Sequence, residues 1–352
     1  MLIKYVFEGL SLPGYKLEDD GGSAFAEAME RNKVTNLNLK LNHLGIEKTR
    51  IIIEVLKSNS TVISFNLSSN DLLSFIAPDI MCLLKMNTSL RELNLDNNIL
   101  KSEGVVIIAE AMKDNTTLRS LDLSINRIEE VGIRALADAL KINTTLQELY
   151  LRLNNLENDN YIADALKINT TLRKLDLSGN HLGEVGGRAI AGALEKNNAL
   201  ELLDFSNNYC GGAVGVAFAE LLKKNTTLIT LNLGFIGLGD TGGSAVIKAL
   251  EKNTTLELLD ISGNQLVNSA NQLVKMLKVN TTLTTLDICC NNIHFTRAGG
   301  NKFASAVEKN TSLTKLTFFN NQLSYRTQTE IKALLAGREY KPKINVKSAL
   351  PC

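Results

Sequence analysis

The sequence predicts an α/β solenoid with short parallel strands on a concave face and helices on a convex face. The main observation is a pattern, Leu-x-x-Leu-x-Leu-x-x-Asn-x-Leu, that recurs about every 28 residues. Eight copies keep Leu at the first and fourth positions and Asn at the ninth, and they begin at Leu90, Leu118, Leu146, Leu172, Leu200, Leu256, Leu283 and Leu313. Three looser copies begin at Val34, Val62 and Leu228, which gives eleven units. A single unit cannot bury its apolar face, so the units are expected to stack into one continuous core.

Each unit is predicted to be a strand followed by a loop and a helix. In the copy that begins at Leu118, Leu121 and Leu123 alternate like the inward residues of a strand. Asn126 follows the strand, and its amide is expected to bond to backbone groups of its own unit and the next one. A helix should begin near Gly132 and end at Lys141 and Asn143. Its apolar face is formed by Ile133, Leu136 and Leu140.

The repeats divide the chain into three parts that together form one domain. Residues 1–33 are predicted to be an N-terminal cap with a degenerate first repeat around Leu10. Residues 34–323 hold the eleven units, and residues 324–352 hold a C-terminal capping helix and a tail. The helix is expected over Tyr325 to Arg338, and the segment that begins at Lys343 is expected to add an edge strand.

Composition and charge exclude several classes of protein. Hydrophobic residues make up 44% of the chain, which is enough to form a core. Lys and Arg number 38 against 37 Asp and Glu, so there is no basic surface of the kind that nucleic-acid binding requires. No apolar run is long enough to cross a membrane, and Glu8 interrupts the first apolar stretch too early for a secretory signal. The five cysteines lack a disulfide spacing, which favours reduced thiols in the cytoplasm. We expect the chain to be a monomer.

The segment from Gly132 to Leu146 reads Gly-x-x-x-Leu-Ala-x-Ala-Leu-Lys-x-Asn-Thr-Thr-Leu. It resembles ribonuclease-inhibitor-type leucine-rich repeats, and the resemblance covers about nine-tenths of the chain. Its monotony is similar to that of leucine-rich-repeat effectors of intracellular bacterial pathogens. This resemblance implies a horseshoe-shaped, non-catalytic module whose concave face binds a partner protein. An effector of this kind would be secreted into the host cytosol and act on a host protein there.

Two other functions stay open at this point. The repeats are also similar to those of Ran GTPase-activating proteins. Membership of that family would imply an enzyme of sorts, one that completes the active site of a partner. That family typically has a strongly acidic tail, whereas residues 341–352 are basic. A structural or adhesive surface protein is the third possibility, but it needs a secretion signal or an anchor that the sequence does not show.

Three sets of residues resemble functional motifs, and each fits a structural role better than the function of that motif. The recurring Asn-x-Thr/Ser triplets, such as that at Asn143, match glycosylation acceptors but fall where a helix ends. Glycine pairs, such as Gly242-Gly243, precede the predicted helices without the lysine of a phosphate loop. Cys289, Cys290 and His294 are too few for zinc. We therefore expect no catalytic residues, no metal and no cofactor.

The unit that begins at Leu146 carries the first candidate binding site. Tyr150, Arg152 and Leu153 occupy positions where neighbouring units have Asp, Ser and Gly or Ile. Tyr and Arg dominate the residues that contribute most to interfaces, so these three are predicted anchors for a partner. Acidic residues recur in the column of Tyr150, and we expect Asp122, Asp176 and Asp204 to steer a mildly basic partner.

A second candidate site is an apolar patch on the same face. Leu202, Tyr209, Phe235 and Leu258 are expected to be exposed there. In this region Ile236 replaces the asparagine of the repeat, so the sequence requires either a water or a shifted loop to satisfy the backbone.

Overall fold

The computed structural model describes residues 9–11, 33–157 and 160–338. The chain divides into two compact units, Met1–Asn180 and His181–Cys352. Most of the predicted N-terminal cap and the basic tail after residue 338, with its expected edge strand, lie outside the described residues.

The first unit alternates strands with helices. Its strands are β1 (Gly9–Ser11), β2 (Asn36–Asn38), β3 (Ser64–Asn66), β4 (Glu92–Asn94), β5 (Ser120–Asp122), β6 (Glu148–Tyr150) and β7 (Lys174–Asp176). The helices are α1 (Gly45–Ser58), α2 (Ala77–Met86), α3 (Lys101–Asp114), α4 (Glu130–Ile142) and the short α5 (Tyr161–Leu166), and a 3-10 turn over Ser74–Ile76 precedes α2. Consecutive strands pair in parallel, so that Asp122 lies opposite Tyr150, which lies opposite Asp176.

The second unit has the same alternation. Its strands are β8 (Leu202–Asp204), β9 (Thr230–Asn232), β10 (Leu258–Asp260), β11 (Thr285–Asp287) and β12 (Lys315–Thr317). The helices are α6 (Gly183–Leu194), α7 (Gly212–Leu222), α8 (Gly239–Ala249), α9 (Ala270–Val279), α10 (Arg297–Lys309) and α11 (Tyr325–Leu335). Consecutive strands are again parallel and in register. The alternation in both units confirms the predicted α/β class.

The leucine pattern forms the core of each repeat, as the periodicity predicts. In β5 the middle residue Leu121 is buried, and Leu118 and Leu123 are buried on either side of the strand. The apolar face of α4 is buried as well, including Leu136 and Leu140. This repeat thus contributes both strand and helix side chains to the core of the first unit, whose burial is the main stabilising contribution.

The asparagine that follows each strand connects neighbouring repeats. Asn126 accepts a hydrogen bond from the N–H of Leu100 through Oδ1, at 3.2 Å. Its Nδ2 donates to the carbonyls of Leu95 and Ser124, both at 2.9 Å. The prediction that this amide bonds to its own repeat is confirmed. The expected bond to the next repeat is wrong. The Asn126 side chain instead bonds to Leu95 and Leu100 of the preceding repeat, whose loop would otherwise leave buried polar groups unpaired.

A second row of buried asparagines ends the helices. Asn143 Oδ1 accepts hydrogen bonds from the N–H groups of Thr145 and Leu146, at 2.9 Å and 2.7 Å. Its Nδ2 donates to the carbonyls of Met112 and Asn115 in the preceding repeat. These bonds account for the Asn-x-Thr triplets as structural elements, since the amide nitrogen is occupied by buried carbonyls.

The substitution at Ile236 is compensated by the backbone itself. Ile236 is fully buried, and its carbonyl accepts hydrogen bonds from the N–H groups of Cys210 and Gly211 at 2.7 Å and 2.9 Å. In the following repeat, Asn264 Oδ1 accepts from the N–H groups of Ile236, Gly237 and Leu238. Each of these N–H groups has an acceptor, so no water is required at them. The Ile236 carbonyl and Asn264 Oδ1 supply the oxygens in place of the missing asparagine side chain.

The glycine pair at Gly242-Gly243 lies inside α8, which corrects the prediction that it precedes the helix. A Cβ on Gly215 of α7 would come within 2.6 Å of the Cα of Gly242. Such a distance shows that the two helices approach through their glycines, which explains the pair without a phosphate.

The closing helix α11 is three residues shorter than predicted, and Ile331 on its apolar face is fully buried. Ser324 caps it by accepting a hydrogen bond from the N–H of Thr327 at 3.3 Å. No helix in the described ranges is long and apolar enough to span a membrane.

Replacing Asn264 by Ala is expected to lower the free energy of unfolding by about 3 kcal/mol, because the buried N–H groups of Ile236 and Leu238 and the partly buried one of Gly237 lose one acceptor. Urea denaturation of the full chain measures the change. Asn301→Ala, on the exposed surface of α10, is the matched control and should change the free energy by less than about 0.5 kcal/mol. Equal stability of the two variants would contradict the account.

Candidate functional site

The sheet of each unit has one face that carries the first and third residues of every strand. The middle residue of each strand points to the opposite side and is buried in the core. We call the face with the first and third residues the strand face. The alternation extends past the strand, so that Arg152 lies on this face with Glu148 and Tyr150.

In the first unit, Tyr150 belongs to a polar network on the strand face. Its hydroxyl donates to Glu148 Oε2 at 3.0 Å, and Ser120 Oγ donates to the same oxygen at 3.2 Å. Lys174 Nζ lies 2.8 Å from Glu148 Oε1. Burial alone would raise the pKa of Glu148, but the hydrogen bond and charge of Lys174 together with the two hydroxyls lower it. The Tyr150 ring is therefore held in one orientation.

Arg152 lies between two aspartates without bonding to either. Burial raises the pKa of Asp96 and of Asp176, and the positive charge of Arg152 offsets part of that rise in both. The guanidinium forms no ion pair with any residue that the structure describes. Its N–H donors are accordingly available to a carboxylate of another molecule.

Leu153 is 47% exposed, and its backbone adopts the left-handed conformation with φ of 50°. The side chain lies across Gly179 of the next repeat: a Cβ at Gly179 would be 2.6 Å from Leu153 Cδ2. One side of Leu153 therefore packs on backbone while the other remains exposed. The structure brings Tyr150, Arg152 and Leu153 together at one place on the strand face.

The acidic residues of the Tyr150 column are less accessible than the sequence suggests. Asp176 is only 4% exposed, and its Oδ1 accepts hydrogen bonds from the Oγ and the N–H of Ser178 at 2.6 Å and 2.9 Å. Asp122 is partly buried and accepts from the N–H of Ser124 and from Nδ2 of Asn94. Asp176 was expected to be an exposed steering group, and that expectation is wrong because its carboxylate is enclosed by its own strand and loop.

Asp204, in the second unit, is buried in the same way. Ser206 donates to its Oδ1 at 2.7 Å through the hydroxyl, and Asn232 Nδ2 donates to its Oδ2 at 3.0 Å. The expected exposure of Asp204 is wrong for the same physical reason as that of Asp176.

The apolar patch of the second unit is only partly formed. Leu202 is 5% exposed, so the prediction that it is exposed is wrong, and Leu258 is half-buried. Phe235 is 42% exposed and lies against Gly263 of the next repeat, where a Cβ would be 2.3 Å from the ring. Tyr209 is 71% exposed, and its ring stacks on that of His181 with 5.9 Å between centroids. The exposed part of the patch is therefore aromatic.

Comparison with known families accounts for the repeat pattern. Five segments match the Leucine Rich repeat family: residues 87–109, 114–137, 169–191, 224–246 and 252–269. These five segments are similar to leucine-rich repeats. No curated protein sequence matches it.

Two solved structures resemble these repeats. The Actin-Binding Site 2 of leiomodin-1 is 20% identical, with a TM-score of 0.35 over 49% of this chain and 85% of that one. The tropomodulin C-terminal domain of Caenorhabditis elegans is 12% identical, with a TM-score of 0.35 over 49% of this chain and 89% of that one.

Metal binding has no support in the described part of the repeats. No three His, Cys, Asp or Glu side chains there lie close enough together to hold an ion. Cys289 is buried, and Cys290 points toward Asn320, whose Nδ2 lies 3.3 Å from its sulfur.

The pairing of Glu148 with Lys174 was not predicted from the sequence. The signal was present, because both are first residues of neighbouring strands and carry opposite charges, and such cross-strand pairs interact. The contacts of Leu153 with Gly179 and of Phe235 with Gly263 had a weaker signal in the sequence. In both cases a glycine occupies the equivalent position of the next repeat.

Asp260 provides a test of the electrostatics of the strand face. Burial raises its pKa from the ordinary value of 3.8 to about 6, and the charge of Asp287 adds to the rise. Because the folded-state pKa is the higher one, this carboxyl lowers stability at pH 7, and the loss disappears as the pH falls below about 4. Asp260→Asn should therefore raise the free energy of unfolding at pH 7 by about 2 kcal/mol and leave it unchanged at pH 3.5.

Urea denaturation at the two pH values measures this difference. Asp138→Asn on α4 is the control, because that carboxylate is exposed and pairs with Lys141. It should change stability little at either pH. An Asp260→Asn variant that is no more stable than the wild type at pH 7 would be inconsistent with the assigned burial.

Proposed function

We propose that the chain is a non-catalytic module of the ribonuclease-inhibitor type that binds a partner protein through the strand face of its first unit. The observation that carries this proposal is the guanidinium of Arg152, which has no ion pair among the described residues and lies beside the half-exposed Leu153. An arginine and an aliphatic side chain at one site offer a partner both hydrogen-bond donors and apolar area.

The rigidity of the site supports binding. Tyr150 is fixed by Glu148, which is itself fixed by Lys174 and Ser120. Leu153 is supported from below by Gly179. Side chains that are ordered before binding lose little entropy when the partner arrives, so more of the contact energy appears as affinity.

The chemistry of the three residues limits the partner. Arg152 suits a carboxylate, which can accept two of its N–H groups at once. Leu153 and the ring of Tyr150 suit an apolar side chain next to that carboxylate. We therefore propose a partner segment with an acidic residue close to an apolar one.

The cellular setting is proposed from the resemblance of the repeats. Monotonous copies such as Gly132 to Leu146 suit an effector of an intracellular bacterium that acts as a monomer on a host protein in the cytoplasm. The described cysteines Cys82, Cys210, Cys289 and Cys290 are all free thiols, which fits a reducing compartment.

The proposal is tested by retention of proteins from eukaryotic cytosol, read by mass spectrometry. The binding variant combines Tyr150→Ala, Arg152→Glu and Leu153→Glu. A control variant combines Tyr325→Ala, Arg326→Glu and Val185→Glu, which makes the same change in charge at exposed helix residues. Both variants must melt at the wild-type temperature.

We expect one host protein to be retained by the wild type and the control, and at least tenfold less of it by the binding variant. Equal retention by both variants would refute the site. A GTP-hydrolysis assay with a Ran-type GTPase examines the alternative, and acceleration by the wild-type chain would favour a GTPase-activating function instead.

A further inference from the structure

The loop that follows β5 holds an isoleucine in a strained backbone conformation. Ile125 has a φ of 51°, in the left-handed region, and it is the only β-branched residue among the described non-glycine residues with positive φ. Other repeats have Asn97 and Gly179 at this position, and both residue types tolerate the left-handed conformation. A branched Cβ is crowded there, so Ile125 lowers stability relative to asparagine or glycine.

Burial in the core does not offset this strain, because Ile125 is 37% exposed. Its N–H donates to the carbonyl of Arg152 at 2.8 Å, which places Ile125 beside the peptide that joins Arg152 to Leu153. Leu153 occupies the equivalent position one repeat later, where it is also left-handed and 47% exposed. Two exposed aliphatic side chains therefore lie in adjacent loops at the edge of the strand face. We call Ile125 and Leu153 the aliphatic pair.

An arginine lies on each side of the aliphatic pair. Arg152 precedes Leu153 on the strand face, and Arg127 follows Ile125 by two residues, where the chain turns towards α4. Arg127 is exposed, and neither guanidinium forms an ion pair within the part of the chain that the structure describes. Each can therefore donate two parallel N–H bonds to a carboxylate of another molecule.

The lysines on the helices of these repeats differ from the two arginines. Lys113 Nζ pairs with Glu110, and Lys141 Nζ lies 2.9 Å from Asp138 Oδ1. In both pairs the acidic residue is supplied three positions earlier on the same helix. The protein thus provides acidic partners for its helix lysines but none for the arginines beside the aliphatic pair.

We propose that Ile125 and Arg127 belong to the partner-binding surface, which takes a partner segment with an acidic residue on each side of an apolar one. One carboxylate binds Arg152, the other binds Arg127, and the apolar residue packs on the aliphatic pair. A strained residue at an exposed position is typical of a functional site, where it lowers stability but presents its side chain in one orientation. This inference rests on the proposed function, because it adds two residues and a second charge to the site of Tyr150, Arg152 and Leu153.

The probe for this surface is a library of short random peptides displayed on phage and selected on the purified full chain. We expect the selected peptides to carry Asp or Glu on both sides of an apolar residue. The tightest of them, made with a fluorescein label, then reports binding by fluorescence anisotropy. Selection of peptides without this pattern, or of no peptide at all, would overturn the inference.

The variant Ile125→Asn separates binding from stability. Asparagine suits the left-handed conformation, so the variant should melt at or above the wild-type temperature. We expect it to bind the peptide at least about fivefold more weakly, since half of the aliphatic pair is lost. Val131→Asn is the matched control, because Val131 is 66% exposed on α4 of the same repeat, and it should bind within about twofold of the wild type. A lower melting temperature with unchanged binding would indicate a purely structural role and overturn the inference.

Charge reversal tests the role of Arg127. We expect Arg127→Glu to bind the peptide at least about tenfold more weakly. Arg134→Glu, at an exposed position of α4, makes the same change in charge and should bind within about twofold of the wild type. When each acidic residue of the peptide is changed to lysine in turn, one of the two new peptides should regain binding to Arg127→Glu. If neither does, Arg127 does not contact an acidic residue and the inference is overturned.

The variant Arg152→Glu distinguishes this inference from the proposed function. Both require it to weaken peptide binding. If it does so while Ile125→Asn and Arg127→Glu bind like their controls, the inference is overturned and the site of Tyr150, Arg152 and Leu153 remains. If all three variants bind like the wild type, both the inference and the proposed site are contradicted.

Discussion

The buried asparagine after each strand is the interaction on which the repeats depend. One amide, such as that of Asn126, satisfies carbonyls of two successive loops and accepts an N–H from the earlier one. Backbone hydrogen bonds between neighbouring loops, such as that from the N–H of Asn97 to the carbonyl of Ser124, satisfy part of the loop backbone. Without the amide of Asn126, the buried N–H of Leu100 and the carbonyl of Leu95 would lose this partner. The bond also fixes the distance between repeats, which keeps the strands parallel and in register. Even where Ile236 interrupts the row, a carbonyl and the next asparagine maintain the spacing.

Because core and ladder positions are fixed in this way, variation is concentrated on the strand face. Arg152 and Gly234 occupy equivalent positions after their strands, where Ser124 and Ser206 represent the ordinary residue. One substitution adds a cation to its unit, and the other lacks the hydroxyl that the neighbouring repeats have. In each case the following residue is apolar, half-exposed and supported by a glycine of the next repeat. The two departures therefore have a common construction.

The periodicity of the sequence predicts the structural features that depend only on a residue's position within its own repeat. Strand middles such as Leu121, the buried face of α4 and the bond of Asn126 within its own repeat follow from spacing alone. Exposure on the strand face depends on neighbours one repeat away, and there the prediction is weaker. Leu202 is buried although its position is nominally outward. The carboxylate of Asp176 is enclosed by Ser178 of its own repeat, through a side-chain hydrogen bond that the spacing of the leucines does not predict.

The central claim is that the strand face of the first unit, and not its helices, meets the partner. A photoreactive benzoylphenylalanine placed at Ser120, on β5 beside Tyr150, tests it against the same residue placed at Asp138 on α4. Irradiation in eukaryotic cytosol, followed by mass spectrometry of the adducts, identifies what each position touches. The account predicts one abundant adduct from position 120 and none of that protein from position 138. The same adduct from position 138 alone would contradict it.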